Sequence, residues 1–324
     1  MEKFFDRLNV RRQWYFLVFI GLLLLPLIIK SDYYLDLIIL MMMWSVLGLS
    51  WNLLGGYAGQ ISFGHAVFFG VGAYAACLLY TKLGVSLWVG FIAAGLAGAI
   101  IAVPIGLICL RLRGPYFALS ILALSEVVRL LTLHWKSFTE GAVGILLISP
   151  VIDSKKGYYY LIWGLLVLTV IAISYILKTR AGYYFVAIRE DEEAAKAVGI
   201  FTVRYKLLAL IISAFFTGVV GSFYANYTTF IDPSIVFSIV DISIAVVLVV
   251  ALGGIGTFWG PAVGAMVVVS FSEGFRHFFP ETHVLVYGVL IIVVIMFLPE
   301  GIVGGLKTLY LKTSAREKER RHAA

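Results

Sequence analysis

Polar and apolar positions in this chain come in long blocks. Apolar runs are separated by short polar breaks, and a single break, in the middle, is both long and densely charged. About 20 apolar residues make a helix that crosses the hydrocarbon of a bilayer. That ruler predicts ten spans, at 14–29, 35–54, 63–80, 85–108, 115–133, 158–177, 206–228, 238–253, 258–274 and 283–298, of which the eighth and ninth are short. The first run follows a basic start, MEKFFDRLNVRRQW, as a secretory signal would. Lys30-Ser31-Asp32 behind it offers no small-residue cleavage site, so a retained span is expected. The prediction is an all-α integral membrane protein, one transmembrane domain over 1–324 with some helices broken or re-entrant.

The charged break runs from Lys178 to Gly199, KTRAGYYFVAIREDEEAAKAVG, within a loop at 178–205. Charges at this density cost several kcal/mol each inside a bilayer, so the loop is exposed. Glu190, Asp191, Glu192 and Glu193 crowd its front, Lys196 falls near its end and Gly199 follows. That order complements a helix dipole and places a glycine where a helix would stop. Glu192 and Lys196 stand at i, i+4 spacing, and Ala194, Ala195, Ala197 and Val198 give a small apolar surface. A helix this short is marginal alone, since roughly 12–15 residues are needed in water. It packs on its own membrane domain, docks into a partner, or is a solvated connector; the residues alone leave these open.

Composition agrees with the block pattern. The 324 residues are 61% hydrophobic and 13% charged, with a mean hydropathy of +0.99, where soluble domains carry about 25% charged residues. The net charge of +7 would suit nucleic acid, but its distribution reports topology instead. With the N-terminus inside, 17 of the 25 lysines and arginines fall in the inside segments 1–13, 55–62, 109–114, 178–205 and 299–324, and Lys206 borders them. Six lie outside and Arg129 lies within a span. This is the positive-inside bias; it puts both termini, the charged loop and the basic tail 307–324 in the cytoplasm. Cys77 and Cys109 sit apart in apolar runs, with neither metal-site nor disulfide spacing.

Two glycine-rich stretches stand out. Leu54–Tyr74 reads LGGYAGQISFGHAVFFGVGAY and Leu252–Gly264 reads LGGIGTFWGPAVG. Gly55, Gly56 and Gly59 break a helix in the first, with polar Gln60, Ser62 and His65 beside them; Gly253, Gly254 and Gly256 do so in the second. Non-helical backbone at membrane depth survives where protein or a water-filled cavity covers it, and paired broken helices point to a translocation path. The plainer alternative is tight turns with small-residue packing. A lone intramembrane histidine such as His65 is more often a hydrogen-bonded packing residue than a proton carrier. Glu126 and Arg129 are spaced to pair on one helix face, as a structural ion pair. Thr139–Pro150, TEGAVGILLISP, is apolar but too short to span, so a re-entrant or interface-lying piece is expected. No GxxxxGK[ST] loop, HExxH or GxSxG pattern occurs. No catalytic residue, metal site or cofactor is expected, and any ATP hydrolysis belongs to another subunit.

Several segments resemble one family: SWNLLGGYAGQ at 50–60 with Ser62 and Gly64-His65-Ala66, Arg111–Gly114, Glu126–Arg129, AIREDEEAAKAVGI at 187–200, Lys206–Leu208, Ile212–Phe216, and VVALGGIGTFWGPAVGA at 249–265. In order over about 35–305, they are similar to the LivM family, one of two permease subunits of bacterial high-affinity branched-chain amino acid ABC importers. The resemblance implies a LivH-like second permease subunit, two cytoplasmic ATPase subunits, a periplasmic amino-acid-binding protein and an inner-membrane location. It also implies that the 187–199 segment, with Arg189, Glu190, Asp191, Glu192, Ala194, Ala195 and Gly199, seats in the ATPase. The family tends toward a TGG-x-NGI-like outer loop where this chain has Thr139-Glu140-Gly141-Ala142-Val143-Gly144-Ile145. A sister importer for urea or short amides is the near alternative. An ion-coupled secondary transporter would need buried carboxylates in the path, and a passive channel would need no energy source.

Overall fold

The computed structural model describes residues 12–29, 31–147, 152, 154–278, 289 and 301–305. Nearly all of them are helical. Helix α1 is Arg12–Ile28, α2 Asp32–Asn52, α3 His65–Leu83, α4 Leu87–Cys109, α5 Pro115–His134 and α6 the single turn Lys136–Thr139. Then follow α7 (Lys155–Lys178), α8 (Arg180–Glu190), α9 (Glu192–Ala197), α10 (Thr202–Thr228), α11 (Pro233–Val236), α12 (Ala245–Gly253) and α13 (Gly260–Phe278). Among the described residues, seven helices are long and apolar enough to cross a membrane: Asp32–Tyr57, His65–Leu83, Trp88–Cys109, Pro115–His134, Lys155–Lys178, Thr202–Thr228 and Pro233–Gly253. The chain is thus a multi-pass membrane protein. These seven coincide with the second to eighth expected spans. The stretches expected as first and ninth spans are helical, as the 17-residue α1 and as α13, whose last turns carry Glu273 and Arg276, but neither is among these seven. The tenth span and the basic tail lie outside the described residues.

The core is a tight sandwich of α10 against α3 and α4, with α2 packed on α7, α10 and α13. Lipid offers helices little hydrophobic reason to associate, so close backbone approach has to supply the contact energy. Gly72 and Gly218 supply it: a Cβ on Gly72 would lie 2.2 Å from the Gly218 carbonyl oxygen, leaving no room for a side chain.

Loops sort to two ends of the bundle. At one end the breaks at 58–64, 110–114, 190–201 and 254–259 gather, joined by contacts such as Arg113–Glu193 (2.5 Å) and Asn52–Gly256 (2.8 Å). At the other end Lys82 donates to the carbonyl of Phe138 (2.8 Å) and Lys155 pairs with Asp36 (2.5 Å). The segment expected as a re-entrant or interface-lying piece is described over 139–147, where it is not one continuous helix. After a 3-10 turn at Gly141–Val143 it runs extended as β1 (Ile145–Leu146), antiparallel to β2 (Phe230–Ile231), with Ile145 opposite Ile231. Ile145 and Leu147 turn inward while Val143 and Leu146 are exposed, so a strand pair satisfies the backbone groups that a re-entrant helix would have satisfied internally.

Candidate functional site

The two glycine stretches meet. Helix α2 widens into a π-helical turn at Leu53–Tyr57 before it ends, and Gly59, with φ +71°, carries the chain out. Asn52, one turn before, is buried. Its Nδ2 donates to the Thr257 carbonyl (2.8 Å), and its Oδ1 accepts from the Gly256 N–H (2.8 Å). One amide side chain thus satisfies a donor and an acceptor of the second glycine turn, where Gly254 (φ +124°) and Gly256 (φ +72°) hold left-handed backbone. A Cβ on Gly56 would stand 2.6 Å from the Gly256 nitrogen, and one on Gly253 would stand 1.8 Å from the Gly260 carbonyl oxygen. Side chains are excluded because backbone has taken their place.

The polar residues beside the first stretch separate by depth. Gln60 is half-buried at the rim, its Nε2 3.4 Å from the Ala58 carbonyl. Ser62 is buried, and its carbonyl accepts from Trp51 Nε1 (2.7 Å). His65 is 0% exposed. Its Nε2 lies 2.8 Å from Ser213 Oγ, and the Ser213 hydroxyl donates its single proton to the Ser50 carbonyl (2.6 Å). Nε2 must therefore be the donor, and Nδ1 carries the lone pair. Geometrically His65 is a bolt joining α2, α3 and α10.

The charged loop is ordered differently from a single helix over 190–199. Arg189 and Glu190 close α8, Asp191 is extended (φ −156°), and α9 begins at Glu192. Asp191 causes the break: its Oδ1 accepts from the N–H groups of Glu193 (2.9 Å) and Ala194 (3.0 Å), the bonds of a helix N-cap. Gly199, at φ +87°, ends the turn. The i, i+4 pair forms, with Lys196 Nζ 3.1 Å from Glu192 Oε1.

Helix α9 has two unlike faces. Inward, Ala195 is buried and Glu192 meets Lys206 Nζ at 2.5 Å while accepting from Thr202 Oγ1 at 3.2 Å. Burial pushes the Glu192 carboxyl up, but hydrogen bonds and charge from Lys206 and Lys196 outweigh it and hold the group below its ordinary value. Outward, Ala194, Ala197 and Gly199 are exposed, as are Val198 (77%) and Phe201 (65%). Arg189 points back into the bundle, where Nη1 donates to the Gly56 carbonyl (3.0 Å).

The model of the family described as branched-chain amino acid transport system / permease component matches residues 33–295. The high-affinity branched-chain amino acid transport system permease protein LivM of Escherichia coli (strain K12) is 31% identical over 314 residues, 88% of this chain and 73% of that protein. This chain belongs to the branched-chain amino acid transport permease family. LivM of Salmonella typhimurium is 30% identical, covering 82% of this chain and 69% of its own length. A probable LivM of Methanocaldococcus jannaschii is 24% identical, covering 83% and 93%. Among solved structures, PsaBC from Streptococcus pneumoniae in complex with Fab matches 86% of this chain at 14% identity with a TM-score of 0.47, a likeness too loose to carry an argument.

Within this permease, Glu126 and Arg129 form the expected pair, Arg129 Nε donating to Oε2 (2.9 Å) and Nη2 to Oε1 (2.5 Å), far along α5 from the glycine turns. Asn52 and Lys206 were given no role from sequence, Lys206 being counted only as a boundary charge. Both had a signal: a polar residue in an end turn of an apolar span beside a loop, the last turn for Asn52 and the first turns for Lys206, needs a partner there.

Proposed function

We propose that this permease is the LivM-type subunit of an ATP-driven importer in the bacterial inner membrane, carrying leucine, isoleucine, valine or a similar small amphiphilic solute inward. Its partners on this reading are a LivH-like permease subunit, two cytoplasmic ATPase subunits and a periplasmic amino-acid-binding protein. The chain itself catalyses nothing; ATP binding on the partners would shift the population between inward- and outward-facing states. The observation that carries the coupling role is the pair of faces on α9. Its inner face is anchored to the bundle through Glu192 and Ala195, while Ala194, Ala197, Val198 and Phe201 stand uncovered at the end where the charge bias places the cytoplasm. The partner-facing residues are therefore these four, and Glu192 and Ala195 support them from behind.

The test is co-expression with the other subunits. Val198→Arg together with Ala197→Arg should cut ATPase co-purification and receptor-dependent leucine uptake at least tenfold, with membrane insertion unchanged. Undiminished complex yield, or labelling of a cysteine at Val198 from the periplasmic side, sinks the reading.

A further inference from the structure

Arg189 is the place where three distant parts of the chain converge. It closes α8, in the loop proposed to seat the ATPase, and its side chain, 36% exposed, reaches back from that loop to the glycine turns. Nη1 donates to the Gly56 carbonyl at 3.0 Å. The same nitrogen stands 2.8 Å from where a Cβ on Gly256 would be, and the Gly56 oxygen stands 3.1 Å from that point. The Arg189 Cα and Cβ lie 3.1 and 3.2 Å from the Cβ position at Gly59. On the far side of the contact, Asn52 locks the two glycine turns together through Gly256 and Thr257. The remaining donors of the fork, Nε and Nη2, are held by Glu190 Oε1 at 3.0 and 2.5 Å, which fixes the plane of the guanidinium.

We infer that Arg189 is the positioning residue that transmits displacement of the α8–α9 segment to the broken ends of α2 and α12. The inference rests on the coupling role proposed for that segment and names the route by which movement leaves it. Three glycines line the contact, so the segment meets the α2 end and the α12–α13 turn through the Arg189 side chain set directly against backbone, with Asn52 joining the two turns. A pull on α8 is delivered to both turns at once. An Arg189 that merely props the loop would do no more than hold α9 in place, which Lys206 and Thr202 already do from the other side.

The importer, assembled with its partner subunits and receptor in proteoliposomes, is the system to measure. The readout is ATP hydrolysed per solute imported, in complexes matched for subunit ratio. Arg189→Ala should raise that ratio at least tenfold. Arg189→Lys, which keeps one donor for the Gly56 carbonyl, should recover part of the loss. Gly256→Ala, which crowds the same guanidinium from the opposite side, should act like Arg189→Ala. A ratio unchanged in both Arg189→Ala and Gly256→Ala overturns the inference, as does failure of both variants to assemble, since Arg189 would then be holding the fold. Failure of the coupling reading itself is separate: it shows as a native chain that does not bring down ATPase subunits.

Discussion

The two ends of this bundle are tied off by different chemistry. The end that holds Arg189 carries side-chain ion pairs, Arg113–Glu193 and Glu192–Lys206, and in addition ties from side chains to the backbone of the glycine turns: Asn52 to Gly256 and Thr257, Arg189 to Gly56. At the other end Asp36 takes Lys155 on one oxygen (2.5 Å) and the Tyr227 hydroxyl on the other, and Lys82 donates to the Phe138 carbonyl, beside a two-stranded backbone pair. A side-chain tie can exchange its partner for water at little cost when it is exposed. Asn52 is buried, so removing its amide leaves two backbone groups of the second glycine turn without their partner. The glycine turns of the first end are thus fixed from a buried side chain, while the Lys155–Asp36 pair of the second stays open to water.

The contrast breaks most sharply at the first end. Lys206→Met leaves the Glu192 carboxylate half-buried without its main partner. Breaking a buried pair costs about 3–5 kcal/mol, and because Glu192 keeps some water the loss should lie near the lower figure. It would be read as a lowered thermal midpoint in detergent with increased mobility of a spin label at Val198. Asn52→Leu strips two backbone partners at about 1–3 kcal/mol each and should show as faster amide exchange in 254–258.

Acid sharpens the same end. The folded Glu192 carboxyl is held below its ordinary 4.5, so its contribution to stability is complete above that pH and drains away as pH falls through the folded value. The Val198 label should therefore be equally immobile at pH 7 and pH 5.5 and loosen only below about 4.5. Glu192→Gln should abolish that acid step.

Smaller effects belong to the second end. Glu140 holds φ +61°, a left-handed conformation that costs an ordinary residue about 1–2 kcal/mol. Glu140→Gly should raise the thermal midpoint accordingly. Lys155→Ala, removing a pair that is 44% and 33% exposed, should cost under about 1 kcal/mol; a larger loss would mean that the second end is as rigid as the first.

Much of this was readable from the chain. Block hydrophobicity places α2 to α5, α7 and α10 within a few residues, and α12 together with the π-helical turn Ile239–Ile244 before it, because a helix in lipid has to satisfy its own backbone and so follows apolar length closely. The kinship of the two glycine stretches was visible, and so was the Glu192–Lys196 pairing. Their meeting through Asn52 was not: residues 52 and 256 are distant in sequence, and no periodicity encodes such a contact. The break at Asp191 was hidden inside a run of four acids, although Asp191 alone among them has the short side chain that caps a helix. The strand pair at 145–146 was hidden too, because two residues carry too little pattern to be told from a loop.

The bare seam between Gly72 and Gly218 has a mechanical meaning. A side chain at Gly72 would force the two backbones apart, so the joint between α3 and α10 depends on that position staying bare. Around that joint α4, α5 and α7 are more thinly covered. Helix α5 is the least covered of the seven long apolar helices among the described residues, with Tyr116, Leu119 and Leu131 all more than 60% exposed.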